Sequence, residues 1–187
     1  TPRLGEIGYD EVLTENAGAV SSPEAEHAAS AFLAREHDRP FFLSCGWFDT
    51  HRAFPAPYPA DDPRYVAPAP TLPDTPETRY DMASFRSSSR ALDAKMAQVL
   101  SVIDRAGLRD NTVVIVTTDH GIAFPRMKCH LTDGGIGVML MMRGPGGFDG
   151  GKVIDSLVSH VDVFPTLCDL LGIDRPDWLE GRGFLPV

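Results

Sequence analysis

Lysine is scarce in this chain: of seventeen basic residues only Lys95, Lys128 and Lys152 are lysine, and the other fourteen are arginine. A lysine placed near candidate chemistry therefore stands out from the background. Basic residues as a class are outnumbered, 17 against 26 acidic ones, for a net charge of -9 and a pI near 5.0. That balance argues against a nucleic-acid partner, because phosphate binding favours a basic face. Long hydrophobic runs are missing too; none approaches the roughly 18 to 20 residues that a bilayer span needs, so no membrane segment is expected. Cysteine is sparse and odd in number. Cys45, Cys129 and Cys168 cannot all pair within the chain, and their spacing fits neither a zinc knuckle nor a disulfide framework. The chain opens on Thr1 without a basic-then-apolar leader, so either a leader has been removed or this is a piece of a longer protein. Internal repeats and low-complexity segments are absent.

What is present is an ordinary globular composition, 43% hydrophobic and 23% charged over 187 residues, enough for one domain with a sizeable core. Residues 23–37 read as a helix with Ser22 and Pro23 at the N-cap and first position and Ala29, Phe32 and Leu33 at helical spacing. "PFFLSCGWF" at 40–48 is a continuous apolar run of strand length, the pattern of a strand buried on both faces. Eight prolines between residues 53 and 78 forbid regular structure through most of that stretch and imply an excursion over the surface. From Arg79 to Ala106, Met82, Phe85, Leu92, Met96, Val99, Leu100 and Ile103 keep an apolar stripe at 3.6 spacing, with Gly107 as the stop. Residues 112–118 and 137–143 are further buried strands, and 160–173 a helix closed by Gly172 with Pro165 in its first turn. Alternating strands and helices predict an α/β fold with a mainly parallel, helix-covered sheet.

In open α/β sheets, ligands collect beyond the carboxyl ends of the strands. The run 40–48 leads into "DTHR", which sets Asp49, His51 and Arg52 just past its end, and 112–118 leads into Asp119 and His120. The plain alternative is that an acidic residue after a strand only starts a turn and a lone histidine only satisfies local hydrogen bonds. Asp119 and His120 together offer a hard oxygen donor, which suits Ca²⁺ or Mg²⁺, and an imidazole, which suits Zn²⁺ or Mn²⁺; further donors must come from elsewhere. Lys128 adds a compact cation suited to an anion, or else is a solvated loop lysine. "TDGG" at 132–135 gives the loop freedom to fold back.

"TDHGIAFPRMKCHLTDGGIGVMLMMRGPG", preceded by "PFFLSCGWFDTHRAFP" and followed by "SHVDVFPTLCDLLGI", resembles the C-terminal part of a sulfatase catalytic domain, within the alkaline-phosphatase-like superfamily. The nearest flavour is that of the heparan N-sulfatases, or sulfamidases. The resemblance spans most of residues 40–187 and implies an incomplete α/β core of that superfamily. It implies that Asp119 and His120 are metal ligands, His120 standing where many members have Asn, with calcium the usual ion and magnesium or manganese as alternatives. It further implies that Lys128 contacts sulfate oxygens and that His51 lies over the scissile ester or sulfamate as donor to the leaving group. Asp49 and Arg52 would flank the substrate, and Gly121 and Pro125 would shape the loop.

The family's paired Asp-Asp and its C/S-x-P-S-R motif, the source of the formylglycine nucleophile, are absent from these 187 residues, as are the further Lys and His of the sulfate site. The expectation is a metal-dependent sulfuric ester or sulfamate hydrolase acting on a sulfated small molecule or sugar, represented by an inactive later portion. A phosphatase, phosphodiesterase or phosphonate hydrolase of the same superfamily is the first alternative, and a non-catalytic anion- or partner-binding α/β module the second.

Overall fold

A thirty-residue helix is the longest element among the described residues. The computed structural model describes residues 8–14, 24–145, 148 and 151–185. They fall into two units, one drawn from Thr1–Leu108 with Thr118–Met139 and one from Arg109–Thr117 with Leu140–Val187. The sequence-predicted cap at Ser22 and Pro23 lies outside the described residues.

In the first unit, α1 (Ala25–Leu33) packs against α2 (Pro76–Arg105). Ala29 and Leu33 are buried on α1, and Val99, Val102 and Ile103 on α2. α2 begins three residues earlier than its apolar stripe suggests because Thr75 forms a reciprocal cap with Thr78 and Pro76 takes the first helical position, where its missing N–H is no loss. It stops at Gly107, which adopts a φ of 70° that glycine tolerates without a Cβ clash.

Residues 40–48 correct the expectation of a strand buried on both faces. The segment is extended but forms no ladder among the described residues, and its exposure alternates. Phe41, Leu43, Cys45 and Trp47 are part-buried, whereas Phe42 is 73% exposed. One face meets α1: Phe41 packs edge-on to Phe32, and Trp47 Nε1 donates to Glu26 at 3.2 Å. No strand of the described residues pairs with it, and on its second face Phe42 meets the ring of Tyr9, stacked at 6.5 Å between centroids.

The proline-rich stretch does run without long regular structure. It makes two short 3₁₀ turns, Pro59–Asp61 and Pro63–Tyr65, and crosses α2 at Ser87. Ser87 Oγ accepts from the Tyr58 amide at 2.8 Å and donates to Asp61 at 2.9 Å, and Arg90 Nε reaches the same carboxylate at 3.0 Å. Arg86 lies 3.5 Å away. The Asp61 carboxylate is fully buried. Burial works to raise its pKa, but the hydrogen bonds from Ser87 and Arg90 and the charges of Arg90 and Arg86 outweigh it and hold the carboxyl below the usual carboxylate range.

The second unit holds β1 (Val114–Thr117) and β2 (Leu140–Arg143), paired antiparallel with Val114 opposite Arg143 and Thr117 opposite Leu140. Between them in sequence lies a single short helical turn, α3 (Asp133–Ile136). The pairing departs from the mainly parallel sheet expected, and β1 is half-buried rather than enclosed. A parallel pair needs a crossover, usually helical, that carries the chain back to the same end of the sheet. α4 (Val163–Leu171) follows a 3₁₀ turn at His160–Asp162, has Pro165 in its first turn and ends at Gly172 with φ 65°, as the sequence predicts. Among the described residues no helix is long and apolar enough to cross a membrane.

A carboxylate whose pKa is lowered by folding stabilises the fold above its unfolded value, about 3.9, and loses that contribution as pH falls through the folded value. The unfolding midpoint of Asp61→Asn is therefore expected below that of the unchanged protein at pH 5 to 7. The gap should close as the pH drops below about 4. A gap that persists at acid pH would show that the charge of Asp61 is not what holds the proline-rich stretch to α2.

Candidate active site

Two loops of the first unit carry the residues of interest, and Arg52 joins them. The first loop starts as the extended run ends, in a turn closed by the His51 amide donating to the Phe48 carbonyl at 2.8 Å. Asp49 is held there by Lys95 of α2, with Nζ at 2.8 and 3.0 Å from the two carboxylate oxygens; both side chains are largely buried. Three residues on, the Arg52 guanidinium grips Asp81 of α2 with two nitrogens, Nη1 at 2.9 Å from Oδ1 and Nη2 on Oδ2. Its Nε donates to the carbonyl of Ala123, in the second loop, at 2.6 Å.

The guanidinium also lies over two aromatic rings, 4.6 Å from the centroid of Phe54 and 4.9 Å from that of Phe124. Those rings and Phe85 are mutually packed at 5.5 to 5.8 Å, on a core that includes Ala69 and Met127. A cation facing ring faces is attracted by their quadrupoles, and a guanidinium can do this while keeping all its in-plane hydrogen bonds.

The second loop, residues 119–135, folds back on itself where glycine leaves room. A Cβ on Gly121 would meet the Gly134 carbonyl oxygen at 1.9 Å, and one on Gly135 would meet that of His130 at 2.0 Å. The Gly121 amide donates to the Gly135 carbonyl at 2.9 Å, and the Lys128 amide to the Ile122 carbonyl at 3.1 Å, which returns Lys128 toward the start of the loop. The Lys128 side chain is part-buried and no ion partner is recorded for it among the described residues.

The two histidines share one device. His51 Nδ1 lies 2.5 Å from the Arg52 carbonyl and His120 Nδ1 lies 2.6 Å from the Gly121 carbonyl. A carbonyl only accepts, so Nδ1 carries the proton in both contacts and Nε2 is left for other work. In His120 that Nε2 sits 3.4 Å from Oδ2 of Asp119, whose side chain is 87% exposed. With the imidazole neutral, two lone-pair donors lie side by side with no proton between them, an arrangement suited to sharing a cation. Among the described residues no group of three His, Cys, Asp or Glu side chains could hold a metal ion, so this pair by itself falls short of a coordination sphere.

Two of the three cysteines are partly or wholly enclosed by the fold. Burial pushes the Cys45 thiol up to about 11, with the Glu26 carboxylate adding to the effect, so it stays protonated at neutral pH. Cys168 is buried, and Cys129 is exposed in the second loop.

Sequence spacing singles out Asp49, His51, Arg52, Asp119, His120 and Lys128, and the structure brings their two loops into direct contact through Arg52 and Ala123. Asp49 and Arg52 are engaged with α2. Their partners, Asp81 and Lys95, are missed by sequence reading; the available signal is their place on the same face of α2 as Phe85, at 81, 85, 88, 92 and 95.

A sulfatase family model matches residues 8–173. The chain belongs to the sulfatase family. It is 30% identical to human N-sulphoglucosamine sulphohydrolase over 83% of this chain and 38% of that protein. It is 29% identical to an ulvan-active sulfatase of Formosa agariphila over 68% of this chain and 21% of that protein. The crystal structure of Ps i-CgsB in complex with k-i-k-neocarrahexaose superposes with a TM-score of 0.66 at 19% identity, covering 87% of this chain and 37% of that one. The fold is thus that of an incomplete alkaline-phosphatase-like α/β domain, and the sulfatase chain described here spans well under half the length of these relatives.

Phe124 is 3% exposed at the centre of the aromatic cluster beneath Arg52. Phe124→Ala is expected to lower stability by about 3 to 5 kcal/mol, read by denaturant unfolding, while Phe124→Leu loses less. Equal midpoints for Phe124→Ala and the unchanged protein would show that the cluster does not support the loops.

Proposed function

We propose that this chain is the C-terminal portion of a metal-dependent sulfatase catalytic domain that hydrolyses a sulfuric ester or sulfamate, with a sulfated sugar or small molecule as substrate. Family membership supports the reaction class, and the observation that carries the site is the Arg52 bridge between the His51 and Lys128 loops. The sulfated-sugar class follows the names of two relatives, an ulvan-active sulfatase and an N-sulphoglucosamine sulphohydrolase.

Asp119 Oδ2 and His120 Nε2 are the donors that would hold part of a divalent cation's sphere, with calcium preferred to magnesium or manganese. Bound there, the ion supplies positive charge for the anionic group. The nucleophile would be a formylglycine made from the Cys or Ser of a C/S-x-P-S-R segment, which these 187 residues do not contain.

The residues present do the rest. Lys128, whose amide is bound to the Ile122 carbonyl, is the residue whose ammonium would meet the negative charge that grows on the sulfonyl oxygens. His51, with Nδ1 engaged by the Arg52 carbonyl, turns Nε2 outward and in its protonated form gives that proton to the departing oxygen or nitrogen. The 187 residues alone, with two cation donors and no nucleophile, turn over no substrate.

In the natural polypeptide that carries these residues, His51→Ala is expected to lower kcat/KM for an alkyl sulfate by roughly 10²- to 10⁴-fold. Lys128→Ala should remove about 2.7 to 4 kcal/mol of transition-state stabilisation, by analogy with single oxyanion donors. Asp119→Ala should lose calcium measured by elemental analysis. Full activity in His51→Ala, or stoichiometric calcium in Asp119→Ala, removes the corresponding role.

A further inference from the structure

We infer that Asp81 and Lys95 of α2 are positioning residues that aim His51 by fixing the Asp49–Arg52 turn at both ends. They stand fourteen residues apart on one helix, about 21 Å at 1.5 Å per residue. Lys95 takes the carboxylate of Asp49, two residues before His51. Asp81 takes the guanidinium of Arg52, one residue after it. The turn is therefore strung along the helix from two anchors. One anchor would leave it free to swing; two fix its axis.

The connection to the imidazole is direct. The carbonyl that orients His51 through Nδ1 belongs to Arg52, the residue that Asp81 holds, and the amide of His51 is itself fixed on Phe48. Displacement of the Arg52 backbone moves the acceptor of the imidazole proton and so the direction of Nε2. Both ion pairs are partly shielded. Asp49 and Lys95 side chains are 17% and 27% exposed, and Arg52 and Asp81 are 41% and 34% exposed. For the more exposed Arg52–Asp81 pair the contribution to stability is small, and its effect is mainly geometric. α2 meanwhile is held by α1 and, at Ser87 and Arg90 between the two anchors, by the buried Asp61 cluster, which makes it a rigid reference for the turn.

The inference rests on His51 being the proton donor to the leaving group, and the test separates the two claims. A poor leaving group, an alkyl or sugar alcohol, needs that proton; 4-nitrophenolate does not. His51→Ala in the natural polypeptide is expected to slow an alkyl sulfate far more than 4-nitrophenyl sulfate. Asp81→Asn and Lys95→Met should show the same selectivity, with kcat for the alkyl sulfate down about tenfold or more, within the roughly 10²-fold that small misplacements produce. KM should change little. Asp81→Glu and Lys95→Arg, which keep the charges, should recover much of the loss, and should do so even if the neutral variants fold poorly.

Combined with His51→Ala, neither α2 substitution should lower alkyl sulfate turnover further, because each acts through the histidine. Equal losses on both substrates, or losses that multiply with His51→Ala, overturn the positioning role while leaving the proton-donor reading intact. Absence of leaving-group selectivity in His51→Ala itself removes the proton-donor reading and the inference with it.

Discussion

The Arg52 guanidinium is the constraint on which the candidate site depends. In one side chain it satisfies a carboxylate on α2, a backbone carbonyl in the 119–135 loop and two aromatic faces beneath. Lysine could not replace it, since a point charge on a flexible stem cannot hold a bidentate carboxylate, a carbonyl and ring stacking at once. The predominance of arginine over lysine in the composition has a local counterpart here: arginine makes the scaffold, and Lys128 is left with no recorded partner among the described residues.

Around that bridge the polar groups divide by task. Asp49, Arg52, Asp81 and Lys95 compensate one another, which pins the loop to α2. Of the groups proposed to carry chemistry, Nε2 of His120 faces the exposed carboxylate of Asp119 at 3.4 Å, while Nε2 of His51 and the ammonium of Lys128 make no such pair among the described residues. Fixing Nδ1 on a neighbouring carbonyl orients an imidazole without occupying its working nitrogen, and the chain uses this twice. The close glycine contacts at Gly121 and Gly135 serve the same purpose for the backbone, bringing the loop back on itself within 15 residues.

Much of this was legible in the sequence because it is local. The 3.6 periodicity of α2, the Gly107 and Gly172 stops, and Asp-His after a β-rich run all depend on neighbours within a few residues, as does the fold class drawn from the family-like motifs. Residues 40–48 mark the boundary of such reading. An apolar run encodes burial, but not which strand pairs with it or how each face is covered, and here α1 covers one face while Phe42 on the other stays 73% exposed. The antiparallel β1–β2 ladder was missed for the same reason: register and direction are properties of the assembled sheet. Asp81 and Lys95 were invisible as partners because salt bridges to residues 29 and 46 positions away leave no periodic trace.

The account's central claim is that the two loops joined by Arg52 share one anion site. A crystal structure of the natural polypeptide with calcium and an unreactive sulfate-ester analogue tests it directly. The account predicts one bound anion within hydrogen-bond distance of both the His51 imidazole and the Lys128 ammonium, with the cation on Asp119 and His120. An anion that touches only one loop, with His51 or Lys128 turned to solvent, would contradict it.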